Sequence, residues 1–175
     1  MNSQTLLNIA KITGRFIILV LAQVFVFDKI NLGGYLDPYI YLMFILLLPF
    51  ETPQWLVLTS SFAIGLAIDL FTGSLGMHAA ASTFTAFVRP AVVQNLFPKP
   101  DKSSVFLPGI NDMGIAPFLL YTLILVFIQN LILFSLEAFR FSETGSVLLR
   151  TLLSTILTSV LIVMLDLVFK KTPKQ

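Results

Sequence analysis

Asp69 is the residue whose surroundings could do chemistry. It stands in FAIGLAIDLFTGSLGMHAA, residues 62–80, an otherwise apolar helical run. Gly65, Gly73 and Gly76 flank it, and the chain's only histidine, His78, follows. A carboxylate within reach of an imidazole is the start of a proton relay, and acids inside membrane-spanning helices often serve as relay or substrate groups. No second acid lies near it in sequence to extend such a relay. A mechanical reading competes. Asp69 falls in the last turn of its helix, where the carbonyl ends disfavour an anion, so it needs donors. His78 and the amides of the GSLG turn are the nearest. We read Asp69 as the pin of this turn.

The other polar residues in apolar runs each have a structural reading. Arg89 lies eleven residues beyond His78, about 16 Å along a helix, too deep to meet Asp69. It is expected to snorkel to the headgroups, with Pro90 kinking or ending the helix. Gln129 and Asn130 should face the bundle or a partner helix, because an unpaired amide in hydrocarbon is costly. Thr151, Ser154, Thr155 and Thr158 form a hydroxyl stripe suited to packing between helices. Asp166 and Lys170 are spaced as an i, i+4 ion pair.

No set of these residues makes an enzyme. The chain has one histidine and no cysteine, and it carries no phosphate loop, no Gly-x-Ser-x-Gly elbow and no paired acids at catalytic spacing. We therefore assign no catalytic residue, no cofactor and no metal ligand. The sparse basic residues never interleave with exposed aromatics, so nucleic acid is not expected as a partner.

The elements that must position these groups follow from composition. Of 175 residues, 57% are hydrophobic and 11% charged. A water-soluble domain of this size could not hide that much apolar surface, so the excess must face lipid. Runs near 20 residues cross roughly 30 Å of hydrocarbon. They predict an all-α integral membrane bundle of six spans, at about 9–28, 38–50, 53–72, 77–96, 117–138 and 147–169. The chain reads as a single transmembrane domain, 1–175, with one substantial loop, 97–116. The second span is short, about 20 Å if helical throughout. Asp37 with Pro38, and Thr52 with Pro53, look like helix starts. The first apolar run reads as a retained signal anchor.

With both termini cytoplasmic, Lys11, Arg15, Arg89, Lys99, Lys102, Lys170, Lys171 and Lys174 fall inside and only Lys29, Arg140 and Arg150 outside. This bias favours six crossings and a cytoplasmic 97–116 loop. Ser61, Gly65, Asp69 and Gly73 recur every four residues and share one face of the third span. Small residues there allow close helix approach, and we expect that seam to seat another protein's helix.

The stretch LPFETPQWLVLTSSFAIGLAIDLFTGSLGMHAAASTFTAFVRP resembles the signature region of the rod-shape-determining membrane protein family MreD. The likeness lies in Pro49 and Pro53, then Gly65-x-x-x-Asp69, Gly73, Gly76, His78 with its alanines, and Arg89-Pro90. The resemblance implies an inner-membrane component of the bacterial cell-elongation machinery that binds MreC, a single-pass protein, and helps to control peptidoglycan synthesis and cell shape. It also implies association with RodA, its penicillin-binding transpeptidase and MreB, and a fold like the substrate-binding subunits of energy-coupling-factor transporters. From that likeness a second function arises, a ligand-binding subunit of a vitamin-type transporter; short outer loops poor in polar residues weigh against it. A lipid-linked-intermediate enzyme or flippase ranks third, because Asp69, Arg89 and Asp166 are expected at different depths. The 97–116 loop could touch MreB; we read it as a solvated linker.

Overall fold

Four helices among the described residues are long and apolar enough to cross a membrane: Ala10–Lys29, Gln54–Thr72, Ile115–Ala138 and Gly145–Val168. The computed structural model describes residues 3–30, 36–97, 107–138 and 144–168, and among these every regular element is helical. The helices are α1 (Ser3–Phe25), α2 (Leu42–Leu46), α3 (Gln54–Thr72), α4 (Met77–Leu96), α5 (Ile110–Met113), α6 (Ile115–Ala138) and α7 (Thr144–Val168), with a single 3-10 turn at Phe27–Lys29. These features make the chain a multi-pass membrane protein.

α4 has the length of a span but not the apolarity of the other four. His78, Ser82, Thr85 and Arg89 are all buried, and their spacing of four, three and four residues puts them on one stripe. The polar stripe faces the protein interior, while Phe84 and Phe87 are exposed on the other side. α3 packs on α4, α4 on α6, α6 on α7, and α1 closes on α3.

The middle of this arc is filled by chain. Pro38 to Leu48 are buried without a break, and α2 within them touches α1, α3, α4 and α6. A helix over 38–50 was expected; only Leu42–Leu46 is helical, a rise of about 7.5 Å. The remainder is extended or turned. Pro38 and Pro49 bracket the run and restrict the residues before them to non-helical backbone, and neighbouring side chains satisfy the backbone that a helix would otherwise have paired.

Neither expected cap forms. α2 begins after Tyr41 without a side-chain cap, and Asp37 turns instead to Arg150. The N-cap of α3 is Pro53, again with no side-chain bond; its carbonyl accepts from the Leu56 and Val57 amides. The 97–116 loop is not wholly irregular either, since it holds α5 and the first two residues of α6.

Candidate functional site

The Asp69 turn is built from local sequence. α3 ends at Gly73 with φ +73° and α4 starts after Gly76 with φ +88°, left-handed values that glycine adopts without a Cβ clash. Those two reversals aim the first amides of α4 at Asp69. Its Oδ1 accepts from the His78 amide at 3.0 Å and the Ser74 hydroxyl at 2.5 Å, and lies 3.0 Å from His78 Nδ1. Its Oδ2 accepts from the Ala79 amide at 2.9 Å. Ser74 Oγ also lies 2.9 Å from His78 Nδ1, so hydroxyl, imidazole and carboxylate form one cluster. Asp69 is 5% exposed and His78 5%. The carboxylate thus caps α4 from the preceding helix, at the positive end of the α4 dipole, which favours an anion. Asp69 ties the end of α3 to the start of α4 through these bonds.

The small-residue seam, by contrast, is spent inside the molecule. A Cβ placed on Gly65 would stand 2.5 Å from Ala79 Cα and 2.6 Å from the His78 carbonyl oxygen. Ser61, Gly65 and Asp69 are buried and only Gly73 is exposed. The expectation that this face seats a partner's helix is therefore wrong. The nearest helix across a tight turn reaches the glycine first, and α4 takes the place.

Arg89 also departs from expectation. It does not snorkel: it is 4% exposed, and its guanidinium donates to the Leu46 and Leu48 carbonyls and, from Nε, to Tyr121 Oη at 2.8 Å. Its charge lies 5.1 Å from the centre of the Phe50 ring. Tyr121 in turn donates to the Leu46 carbonyl at 3.2 Å, and Arg15 of α1 donates to that of Leu47 at 3.3 Å. These carbonyls are the orphan acceptors at the C-terminal end of α2, where cations are favoured. Pro90 lies inside α4, which continues to Leu96.

At the other end of the buried segment the α7 hydroxyls take the amides. The Asp37 amide donates to Ser154 Oγ at 3.0 Å and the Tyr39 amide to Thr158 Oγ1 at 3.1 Å. Two extended residues advance about 6.6 Å and four helical residues about 6 Å, so the registers match. Pro38, between them, has no amide to place; its carbonyl accepts from Gln23 Nε2 at 3.0 Å. Thr155 bonds Asn130 of α6 at 3.1 Å, while the Thr151 hydroxyl is buried without a partner. Gln129 faces the bundle, linking Thr85 at 2.8 Å and Tyr41 Oη at 2.9 Å.

Sequence reasoning missed Gln23, Tyr41 and a charge cluster. Arg150 donates twice to Asp37 Oδ2, at 2.9 and 2.7 Å, and to Glu137 at 2.8 Å, with its guanidinium 4.2 Å from the centre of the Phe134 ring. The partners are 113 and 13 residues apart, with no local spacing to reveal them. Asp166 caps α5 through the Ile110 amide at 2.9 Å, whereas its expected partner Lys170 lies outside the described residues. Among the described residues, Asp69, Arg89 and Asp166 share no hydrogen-bond partner. Beside the Asp69 turn a recess of about 180 Å³ is lined by Phe27, Asp28, Asp37, Pro38, Tyr39, Thr72 and His78. No protein family, curated protein or solved structure matches the chain.

Proposed function

We propose that the chain is a non-enzymatic membrane scaffold of MreD type, which binds an MreC-type single-pass protein and helps to control peptidoglycan synthesis and cell shape. On this reading it lies in the bacterial inner membrane with both termini cytoplasmic and crosses six times, the 38–50 run serving as the second crossing. RodA, its transpeptidase and, on the cytoplasmic side, MreB belong to the same machinery.

The observation that carries this reading is the filled centre. Where a transporter needs a path or a pocket, Pro38–Leu48 occupy the bundle; their backbone is held by Gln23, Thr158, Arg15, Arg89 and Tyr121, and that of the preceding Asp37 by Ser154. Such a body is built to keep its shape. The recess of about 180 Å³ is smaller than the roughly 300–1,000 Å³ of sites for drug-sized ligands, which speaks against a vitamin-binding subunit.

Since the Gly65 seam is occupied, the partner's helix is placed on α1, whose Ile17, Ile18, Leu21 and Phe25 are exposed and which packs on α3 and α2 along its other side. The test is site-specific photo-crosslinking in native membranes. A probe at Ile18 or Leu21 should capture the MreC-type partner, and a probe at Phe87 of α4 should not. Absence of any complex with elongation proteins, together with unaltered cell shape on depletion, would remove the proposal.

A further inference from the structure

Pro90 breaks the hydrogen-bond ladder of α4 at one rung. It has no backbone N–H, so the Ala86 carbonyl four residues earlier loses its helical donor. Within a bilayer such a carbonyl must be satisfied by another group. Ala86 is buried, and Gln54 Nε2 donates to its oxygen at 3.0 Å. Gln54 is the first residue of α3, so the missing rung is supplied from a neighbouring helix.

A second tie stands beside the first. Arg89, immediately before Pro90, donates to the Leu46 and Leu48 carbonyls. α4 thus gives a donor to the chain ahead of Pro49 and receives one from the chain just after Pro53. Both ties fall on the N-terminal side of Pro90. Beyond it Ala91, Gln94 and Asn95 are exposed, while Val92, Val93 and Leu96 are half-buried. Among the described residues, the side-chain hydrogen bond of this last stretch runs from Asn95 Nδ2 to the Ala91 carbonyl at 2.8 Å, within α4 itself.

We propose that α4 is hinged at Pro90 and that Gln54 is the latch of the hinge. With the latch closed, the Ala86 carbonyl is held toward α3 and residues 91–96 keep one direction. With it open, that carbonyl can take the Ala91 amide, one position past its missing donor, and this wider pairing redirects the helix. Residues 77–89 stay fixed by Asp69 at one end and Arg89 at the other. The inference is independent of the scaffold reading.

A double-mutant cycle isolates the latch. Gln54→Leu removes the donor. In Pro90→Ala the restored amide serves Ala86 from within α4, so Gln54 has nothing left to satisfy. For the full chain in lipid nanodiscs, Gln54→Leu should lower the melting temperature by a few degrees. In the Pro90→Ala background the same change should cost less than half as much. Gln54→Asn, one methylene too short to reach Ala86, is a second variant with the same expected pattern.

Spin-label distances read the motion itself. The chain has no cysteine, so Thr59→Cys with Asn95→Cys, and Thr59→Cys with Phe84→Cys, give two defined pairs at exposed positions. The first pair straddles Pro90 and the second lies before it. Gln54→Leu should broaden or shift the Thr59–Asn95 distance and leave Thr59–Phe84 unchanged. In Pro90→Ala neither pair should respond to Gln54→Leu. Equal cost of Gln54→Leu in both backgrounds or an unmoved Thr59–Asn95 distance would overturn the proposal. So would equal broadening of both pairs, which reports a general loosening of α3 from α4 and no hinge.

Discussion

Gly65 and Ala79 lie backbone to backbone. The position of a Cβ on Gly65 is 2.5 Å from Ala79 Cα and 2.7 Å from its nitrogen. The same Ala79 amide is bonded to Asp69, one helical turn along from Gly65. The contact and the cap therefore fix the same point of α4 from two levels of α3, and the hairpin between these helices has little freedom to open.

Gly65→Ala should break that arrangement. The obstruction is backbone on both sides, so no side chain can rotate away. Overpacking of this kind costs about 1–3 kcal/mol, and the helices must separate. A lower melting temperature in detergent is expected, with Gly14→Ala, a glycine with open space around it, as the matched control. Equal melting of both variants would contradict the close contact.

Asp69→Ala should cost more than an ordinary cap. Three donors lose their acceptor, the Ser74 hydroxyl and the His78 and Ala79 amides of a buried helix start. Loss of an N-cap alone costs about 0.5–2 kcal/mol. Asp69→Asn, which retains one acceptor oxygen, should fall between Ala and the parent. Amide exchange at residues 78 and 79 reports it directly: protection should drop there first in the Ala variant. Unchanged protection at both amides would show that the cap is dispensable.

The Asp69 turn was legible because everything it uses lies within ten residues and glycine positions announce the reversals. Long apolar runs likewise revealed the four helices long and apolar enough to cross a membrane. The centre was not legible. Hydropathy counts apolar residues over 38–50 without seeing that Pro38 and Pro49 bracket them, or that α7 carries hydroxyls at the matching rise. Arg89 looked like a headgroup anchor because its carbonyl partners stand 41 to 43 residues earlier. The seam misled for a plainer reason: small residues state that something comes close, not which helix it is.

Arg89→Leu should destabilise the bundle by leaving the α2 carbonyls unpaired. Each buried acceptor without a donor costs about 1–3 kcal/mol, though Tyr121 still serves Leu46. Arg89→Lys keeps the charge but not the fork that spans Leu46, Leu48 and Tyr121, and it should recover only part of the loss. Full recovery by Lys, or no loss in Leu, measured as folded yield and melting temperature, would assign Arg89 to the surface role first expected of it.

The hydroxyl stripe of α7 offers the cleanest comparison. Ser154→Ala and Thr158→Val each strand one amide of the extended segment, and each should cost about 1–3 kcal/mol. Ser159→Ala removes a buried hydroxyl with no partner and should change stability by less than about 0.5 kcal/mol, because no hydrogen bond is lost. The double variant Ser154→Ala/Thr158→Val should be worse than either single one, since both anchors of the Asp37–Tyr39 stretch go. Protection of the Tyr39 amide should fall in Thr158→Val and that of Asp37 in Ser154→Ala. If Ser159→Ala matched the other two, the loss would come from packing in the α6–α7 seam, and the pairing of an extended segment with a helix face would have no energetic weight.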